Sequence, residues 1–336
     1  MLPDSARELK ARLSRLLSEA PPGSVTTSAV DDGELAGSGA ARWSGVALGL
    51  APVGPRSVHL AIRLVDRADA EVVLAGLGDA ARAEVDVRVI GRVRALASPT
   101  PDRLQQRVRP LVPGLSVGHL DVTAGTVGGF VRRTGGSGGL LVLSNNHVLA
   151  DSGAARAGDP TVQPGVADGG TAADRIGTLA AFSELSAGPG NLVDAAVTAL
   201  DEGVGAEPGG YPGGPLALLV AAADDVDPED VVEKVGRTTG HTRGRVTAVE
   251  VDGVGVEYDD GVHTFDDQVE VEGLRGGFSA GGDSGSVIWR SRDRAPLALL
   301  FAGSETGGSS GGGVTFANPL ATVLRILGVA WVSTSG

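Results

Sequence analysis

The spacing of apolar residues changes character along the chain, and the changes mark out its parts. Near the start, Leu9, Leu13, Leu16, Leu17 and Ala20 recur at helical spacing. Ser5 and Glu8 form a capping-box pattern ahead of them, and Pro21 and Pro22 end the run. The spacing predicts an amphipathic helix within residues 1 to 22. Its apolar face packs on the rest of the chain, with docking of a regulatory protein partner as the alternative. Residues 23 to 41, rich in Gly, Ser, Ala and Asp, read as a linker. A period of two then takes over: Val58, Leu60, Ile62 and Leu64 alternate with His59, Ala61 and Arg63, as in a strand with one buried face. Val85, Val87 and Val89 alternate again after a helical pattern over 68 to 82. Together with 43 to 50, these predict a small α/β domain over 42 to 96.

Residues 97 to 114 carry four prolines and a local excess of arginine, and read as an extended connector laid over a domain. From Thr123 onward, short Val and Leu runs separated by glycine turns predict an all-β region. The Gly/Pro-rich stretch 203 to 215 divides it, giving two β-barrels over 115 to 202 and 216 to 317. Residues 318 to 336 read as a helix and tail, with Leu320, Val323, Leu324 and Leu327 on one side. The fold class is mostly β, a double barrel behind a small α/β domain.

Composition narrows the function classes. With aromatics at 3%, the cores rest on Val, Leu, Ala and Ile. A net charge of -13, from 28 basic and 41 acidic residues, repels nucleic acid and anionic lipid. Cysteine is absent, which excludes disulfides and thiolate metal sites. Charged residues interrupt the leucines of the first 20 positions, so no signal-peptide core is read, and no apolar run is long enough to span a membrane. The expectation is a soluble, cytoplasmic protein without a cofactor. Asp224, Asp225, Asp227, Glu229 and Asp230 form a solvated acidic cluster, with a calcium site as the alternative use.

The chemistry is organised around Gly281-Gly282-Asp283-Ser284-Gly285-Ser286, just before an apolar run. A serine between glycines is held on a tight turn with its hydroxyl free, and the N–H groups of Gly282 and Ser284 are placed to receive a developing oxyanion. Asp283 ties the turn down from behind. In a chain with 53 glycines such strings also arise by composition, as in 303 to 313, so the turn gains its meaning from its partners. A serine hydroxyl needs an adjacent base, itself oriented by a third group. Of the five histidines, His147 follows a core strand over Leu140 to Leu143 and so has a rigid perch. Among the acids, Asp194 interrupts the apolar run Asn191 to Val197, where burial requires a strong partner such as an imidazole N–H. The chain order His147, Asp194, Ser284 is that of double-β-barrel hydrolases.

From about residue 115 onward, the chain resembles a trypsin-like, chymotrypsin-fold serine peptidase of bacterial type. The resemblance rests on the GDSG turn, on LSNNHVLA around His147, and on VDAAVTAL around Asp194. VGRTTGHTRGRV over 235 to 246 and the ending VTFANPL extend it. It implies peptide-bond hydrolysis through an acyl-enzyme on protein or peptide substrates. Ser284 would be the nucleophile, His147 the general base and then acid, Asp194 the orienting carboxylate, and Gly282 with Ser284 the oxyanion hole. Asn145 and Asn146 replace the usual small residue before the histidine, and Ser286 replaces a second glycine. No freed amino terminus is evident to pair with Asp283. By the same resemblance, Phe278 occupies the base of the specificity pocket and Ala302, Gly303 and Ser304 its wall. This implies a small or apolar residue at the cleavage site, subject to Glu305 nearby. The leading reading is a serine endopeptidase regulated by its N-terminal region. The alternatives are a peptide-binding module that has lost turnover and an esterase on the same triad.

Overall fold

The computed structural model describes residues 1–19, 45–67, 70, 73–74, 77, 83–91, 93, 103–135, 138–186, 188, 190–227, 229–304, 306–309 and 311–334. The linker over 23 to 41, most of the helix expected over 68 to 82, and Glu305 lie outside these residues.

Helix α1 (Pro3–Glu19) begins two residues before the expected cap. Ala6 N–H donates to Leu2 O at 3.1 Å, and Pro3 occupies the first helical position, where its missing N–H costs nothing. Ser5 is therefore inside the helix. Ala6 and Leu13 are buried, with Leu9 and Leu17 packed beside them, whereas Leu16 stays 48% exposed. The apolar stripe lies on β1 (Val46–Gly54) and β2 (Ser57–Leu64), so this face is occupied by the chain itself. β2 pairs in parallel with β3 (Val85–Val89).

Next come β4 (Ser116–His119), β5 (Gly125–Thr126), β6 (Gly129–Arg133), β7 (Leu141–Ser144), the single-turn helix α2 (Asn146–Leu149), β8 (Pro160–Val162), β9 (Arg175–Phe182) and β10 (Ala196–Leu200). The last part contains β11 (Val231–Gly236), β12 (Gly240–Asp252), β13 (Val254–Tyr258), β14 (Gly261–Phe265), β15 (Gln268–Gly273), β16 (Val287–Arg290), β17 (Pro296–Gly303), β18 (Thr315–Pro319), α3 (Leu320–Leu327) and β19 (Val329–Val332).

Strands β11, β16, β17, β18, β15 and β12 pair in that order, and β12 pairs back onto β11, closing a six-stranded barrel. The other sheet runs β19-β6-β7-β10-β9-β8-β4-β5 and stays open, a curled half-barrel. The residues after α3 thus add a strand, β19, which returns to pair with β6. Between the two sheets lies a joint core that includes Leu143 and Val197 from one side and Val287, Trp289 and Leu299 from the other.

The α/β unit is not a separate bead. β1 pairs with the far half of the 13-residue β12, so its sheet continues the closed barrel. Arg63, expected on a polar face, is only 1% exposed, because the barrel covers the other side of β2. Its Nε donates to Glu270 Oε2 at 2.7 Å and its Nη2 to Asp86 Oδ2 at 3.0 Å. Removing one partner of such a buried pair typically costs about 3–5 kcal/mol. The connector is also tied down: Arg109 reaches Gln163, and Leu111 N–H donates to Gly205 O at 2.8 Å. By its own topology the molecule is a chymotrypsin-like double barrel with an N-terminal extension.

Candidate active site

His147 stands where the apolar strand β7 ends and one helical turn begins. The preceding asparagines brace that turn. Asn145 Nδ2 donates to Asp194 O at 2.6 Å, and Asn146 Nδ2 donates to Ser183 O. Asn145 therefore tethers the segment that carries the acid, a role its place before the histidine does not reveal. Asp194 is fully buried. Its Oδ2 lies 2.5 Å from His147 Nδ1 and accepts the Tyr258 hydroxyl at 2.7 Å; its Oδ1 accepts the His147 backbone N–H at 3.2 Å. The second barrel holds the acid's backbone, with Asp194 N–H donating to Asn318 Oδ1 at 3.0 Å. Burial pushes the Asp194 carboxyl up, but the His147 charge and the hydrogen bonds from His147 and Tyr258 outweigh it and hold the group below the usual aspartate range.

Ser284 is held by other elements. Thr126 N–H donates to Ser284 O at 2.8 Å, and a Cβ on neighbouring Gly125 would strike both Ser284 O and the side chain of Val148, the residue after His147. The Ser284 hydroxyl donates to Phe301 O at 3.3 Å; a bond between it and the imidazole is not among those of the described residues. The carboxylate and imidazole are joined, and the hydroxyl rests on another acceptor.

The turn around Ser284 is fixed on every side. Gly282 has φ of +87°, and a side chain there would collide with Arg237 and Thr238. Gly281 O accepts the Thr238 hydroxyl at 2.5 Å and Gly282 O accepts the Thr126 hydroxyl at 2.7 Å. Because a trans peptide opposes its C=O and N–H, anchoring Gly281 O on Thr238 turns the Gly282 N–H the other way. Among the described residues, neither the Gly282 N–H nor the Ser284 N–H has an acceptor. Ser286, in place of the second glycine, is buried and donates its hydroxyl to Asp283 O at 2.6 Å.

Asp283 also has an internal partner. Lys234 Nζ is 3.0 Å from Asp283 Oδ2, and both side chains are wholly buried. Thr238 N–H and Thr239 N–H donate to Oδ1, at 2.9 and 3.2 Å; Thr239 Oγ1 and Ala280 N–H donate to Oδ2, at 2.6 and 3.0 Å. Burial pushes the Lys234 ammonium down, and the charge and hydrogen bond of Asp283 oppose this only in part. The Lys234 position was open to sequence reasoning: in Val231–Gly236 the alternation puts Val232, Lys234 and Gly236 on the inward face.

Phe278 is 2% exposed and packs in the closed-barrel core, its ring edge against Gly244 and the Lys234 ammonium 6.0 Å from the ring centre. Ala302 and Gly303 end β17, Ser304 follows it, and all three are buried. The segment after them leans on the α/β unit: a Cβ on Gly307 would strike the backbone of Ile90, and Glu272 accepts both Arg88 and the Ser309 N–H. In the acidic cluster, Asp225 pairs with Arg290 and Asp227 with Arg292, while Asp230 is buried. No group of residues arranged to hold a metal occurs among the described residues, and none of their helices is long and apolar enough to cross a membrane.

No family model and no curated protein sequence matches the chain. Solved structures do match. Protease A of Thermobifida fusca is 18% identical with a TM-score of 0.43, the match covering 66% of this chain and 98% of that one. The chymotrypsin of Cellulomonas bogoriensis is 24% identical with a TM-score of 0.44, over 66% and 98%. A Nocardiopsis protease is 19% identical with a TM-score of 0.44, over 65% and 97%. The chain's own strand order gives a chymotrypsin-like double-β-barrel fold, carrying an N-terminal helix and α/β extension.

Proposed function

We propose that the chain is a serine endopeptidase that cleaves protein or peptide substrates through an acyl-enzyme. What supports the reading is the joined, buried Asp194–His147 pair, with the Ser284 hydroxyl and two backbone N–H groups that have no acceptor among the described residues, on segments that meet around Gly125. With Nδ1 of His147 held by Asp194, Nε2 is left as the acceptor. The Ser284 hydroxyl turns from Phe301 O to Nε2 and gives up its proton as Oγ attacks the substrate carbonyl carbon. The oxygen of that carbonyl takes the electron pair and is held by the N–H groups of Gly282 and Ser284. His147 then protonates the departing amine, and the acyl ester is cleaved by water through the same proton transfers in reverse roles.

The buried apolar surroundings of Phe278 and the small residues of β17 favour small or apolar side chains at the cleavage site. Regulation through the N-terminal region has a physical route, since Ile90 and Arg88 of the α/β unit bear on the segment that follows the pocket wall. A peptide-binding module without turnover is the second reading, favoured by the resting bond from Ser284 to Phe301 O. A fluorophosphonate probe separates the two. Endopeptidase function requires labelling at Ser284 and the loss of both labelling and peptide cleavage in Ser284→Ala. Cleavage that persists in that variant, or an intact chain that never labels, rejects the proposal.

A further inference from the structure

Tyr258 is one of only two tyrosines in the chain, and it closes β13 at the tip of a two-stranded hairpin. No motif marks it. Its hydroxyl nevertheless ends on Asp194 Oδ2, the oxygen that also faces His147 Nδ1. A buried carboxylate carries about four acceptor sites, and each one left empty raises the cost of the charge. Oδ1 takes the His147 backbone N–H; without Tyr258, Oδ2 has the imidazole alone.

The hydroxyl is held in place from several directions. The Tyr258 ring meets His263 edge to face at 5.3 Å, Phe265 at 6.2 Å and the His147 ring at 5.8 Å. The hairpin is fastened to the loop that leads into Asp194. His263 Nδ1 lies 3.0 Å from Ser186 O, Asn191 Nδ2 donates to Thr264 O at 3.0 Å, and Asp266 N–H donates to Asn191 O at 2.9 Å. His263 Nε2 faces Asp260 Oδ1 at 2.9 Å. These fastenings all use groups other than the tyrosine hydroxyl, so the hairpin keeps its seat without it. Burial first, and the Asp194 charge second, push the Tyr258 phenol well above its ordinary value, so it remains a donor wherever the site works.

We propose that Tyr258 is a positioning residue for the hydrolysis proposed above: its hydroxyl fixes the rotation of the Asp194 carboxylate and thereby aims His147 Nε2 at Ser284. The hydroxyl acts through Asp194 and not on the substrate or on the reacting atoms.

The test uses the full chain and Tyr258→Phe, which keeps the ring and removes one oxygen. Labelling of Ser284 by the fluorophosphonate probe should slow by roughly tenfold to a hundredfold, the worth of a hydrogen bond to a charged group. With a peptide substrate the loss should fall on kcat and leave KM nearly unchanged. The acid limb of the rate profile should move to higher pH, because the Asp194 carboxylate loses a donor that favours its charged form. The downfield proton resonance of the His147–Asp194 bond should shift, and the thermal midpoint should show the variant folded. An unchanged labelling rate and pH profile overturns the proposal, as does slowing no greater than the folded fraction lost. If the wild-type chain never labels, the endopeptidase reading fails by itself. The resonance then decides the Tyr258 role alone: a shift sustains it and an unmoved signal rejects it.

Discussion

Two wholly buried aspartates flank the serine turn, and their surroundings are built to opposite ends. Asp194, on the imidazole side, is held by His147 and Tyr258 with a single backbone N–H. Asp283, behind the turn, is held by a lysine, a threonine hydroxyl and three backbone N–H groups. The first set contains a partner whose charge can change during a proton-transfer cycle; the second contains none that needs to. In the proposed mechanism one carboxylate serves a moving proton, while the other serves a fixed backbone. The second set also accounts for how the turn is ordered without a freed amino terminus, since Lys234 brings the cation from within the barrel.

Substitutions can break this comparison. Asp194→Asn should have the largest effect, lowering turnover by about four orders of magnitude, as expected when the orienting carboxylate of such a triad is made neutral. Its cost in stability should be small, about 1–2 kcal/mol, since an amide retains most of the hydrogen bonding. Rate measurements beside denaturant unfolding check both. Lys234→Met should act in the reverse sense, costing about 3–5 kcal/mol of stability by leaving Asp283 buried without its cation, with probe labelling lost as the turn loosens. Adding Asp283→Asn to Lys234→Met should restore part of the stability, which a double-mutant cycle measures. Stability that fell equally in Asp194→Asn and Lys234→Met would erase the distinction between the two carboxylates.

Acid sharpens the comparison most gently. The folded pKa of Asp194 is depressed, so its contribution is fully present above the ordinary aspartate value of 3.8 and is lost as pH falls through the lower folded value. The gap in thermal midpoint between the wild type and Asp194→Asn should therefore hold near pH 6 and narrow only below 3.8. A gap that closed at higher pH would mean that the acid lacks the partners described.

Much of this was legible from residue order, and the rest was not for definite reasons. His147, Asp194 and Ser284 each sit in a local pattern: a strand end, an acid within an apolar run, a glycine-bounded serine. Their spatial neighbours Tyr258 and Asn318 are ordinary residues whose importance arises only when the two halves close on each other, whereas Lys234 meets Asp283 within its own barrel and is marked by its inward place on β11. Tyr258 lies 64 residues from the carboxylate it serves. Arg63 misled because alternation reports one covered face, whereas β2 is covered on both by the continuation of the barrel sheet. Ser5 misled because a capping pattern was outweighed by Pro3, two residues earlier.

The lysines carry one more consequence. The chain has two, Lys10 and Lys234, and neither ammonium is free at the surface: Lys10 is 9% exposed and bonded to Asp252, while Lys234 is sealed against Asp283. Arginine supplies nearly all the outward positive charge. Reagents and enzymes that acylate, glycate or conjugate the side-chain amine therefore meet a folded surface with no handle, and they gain one only by prising loose the helix or opening the barrel.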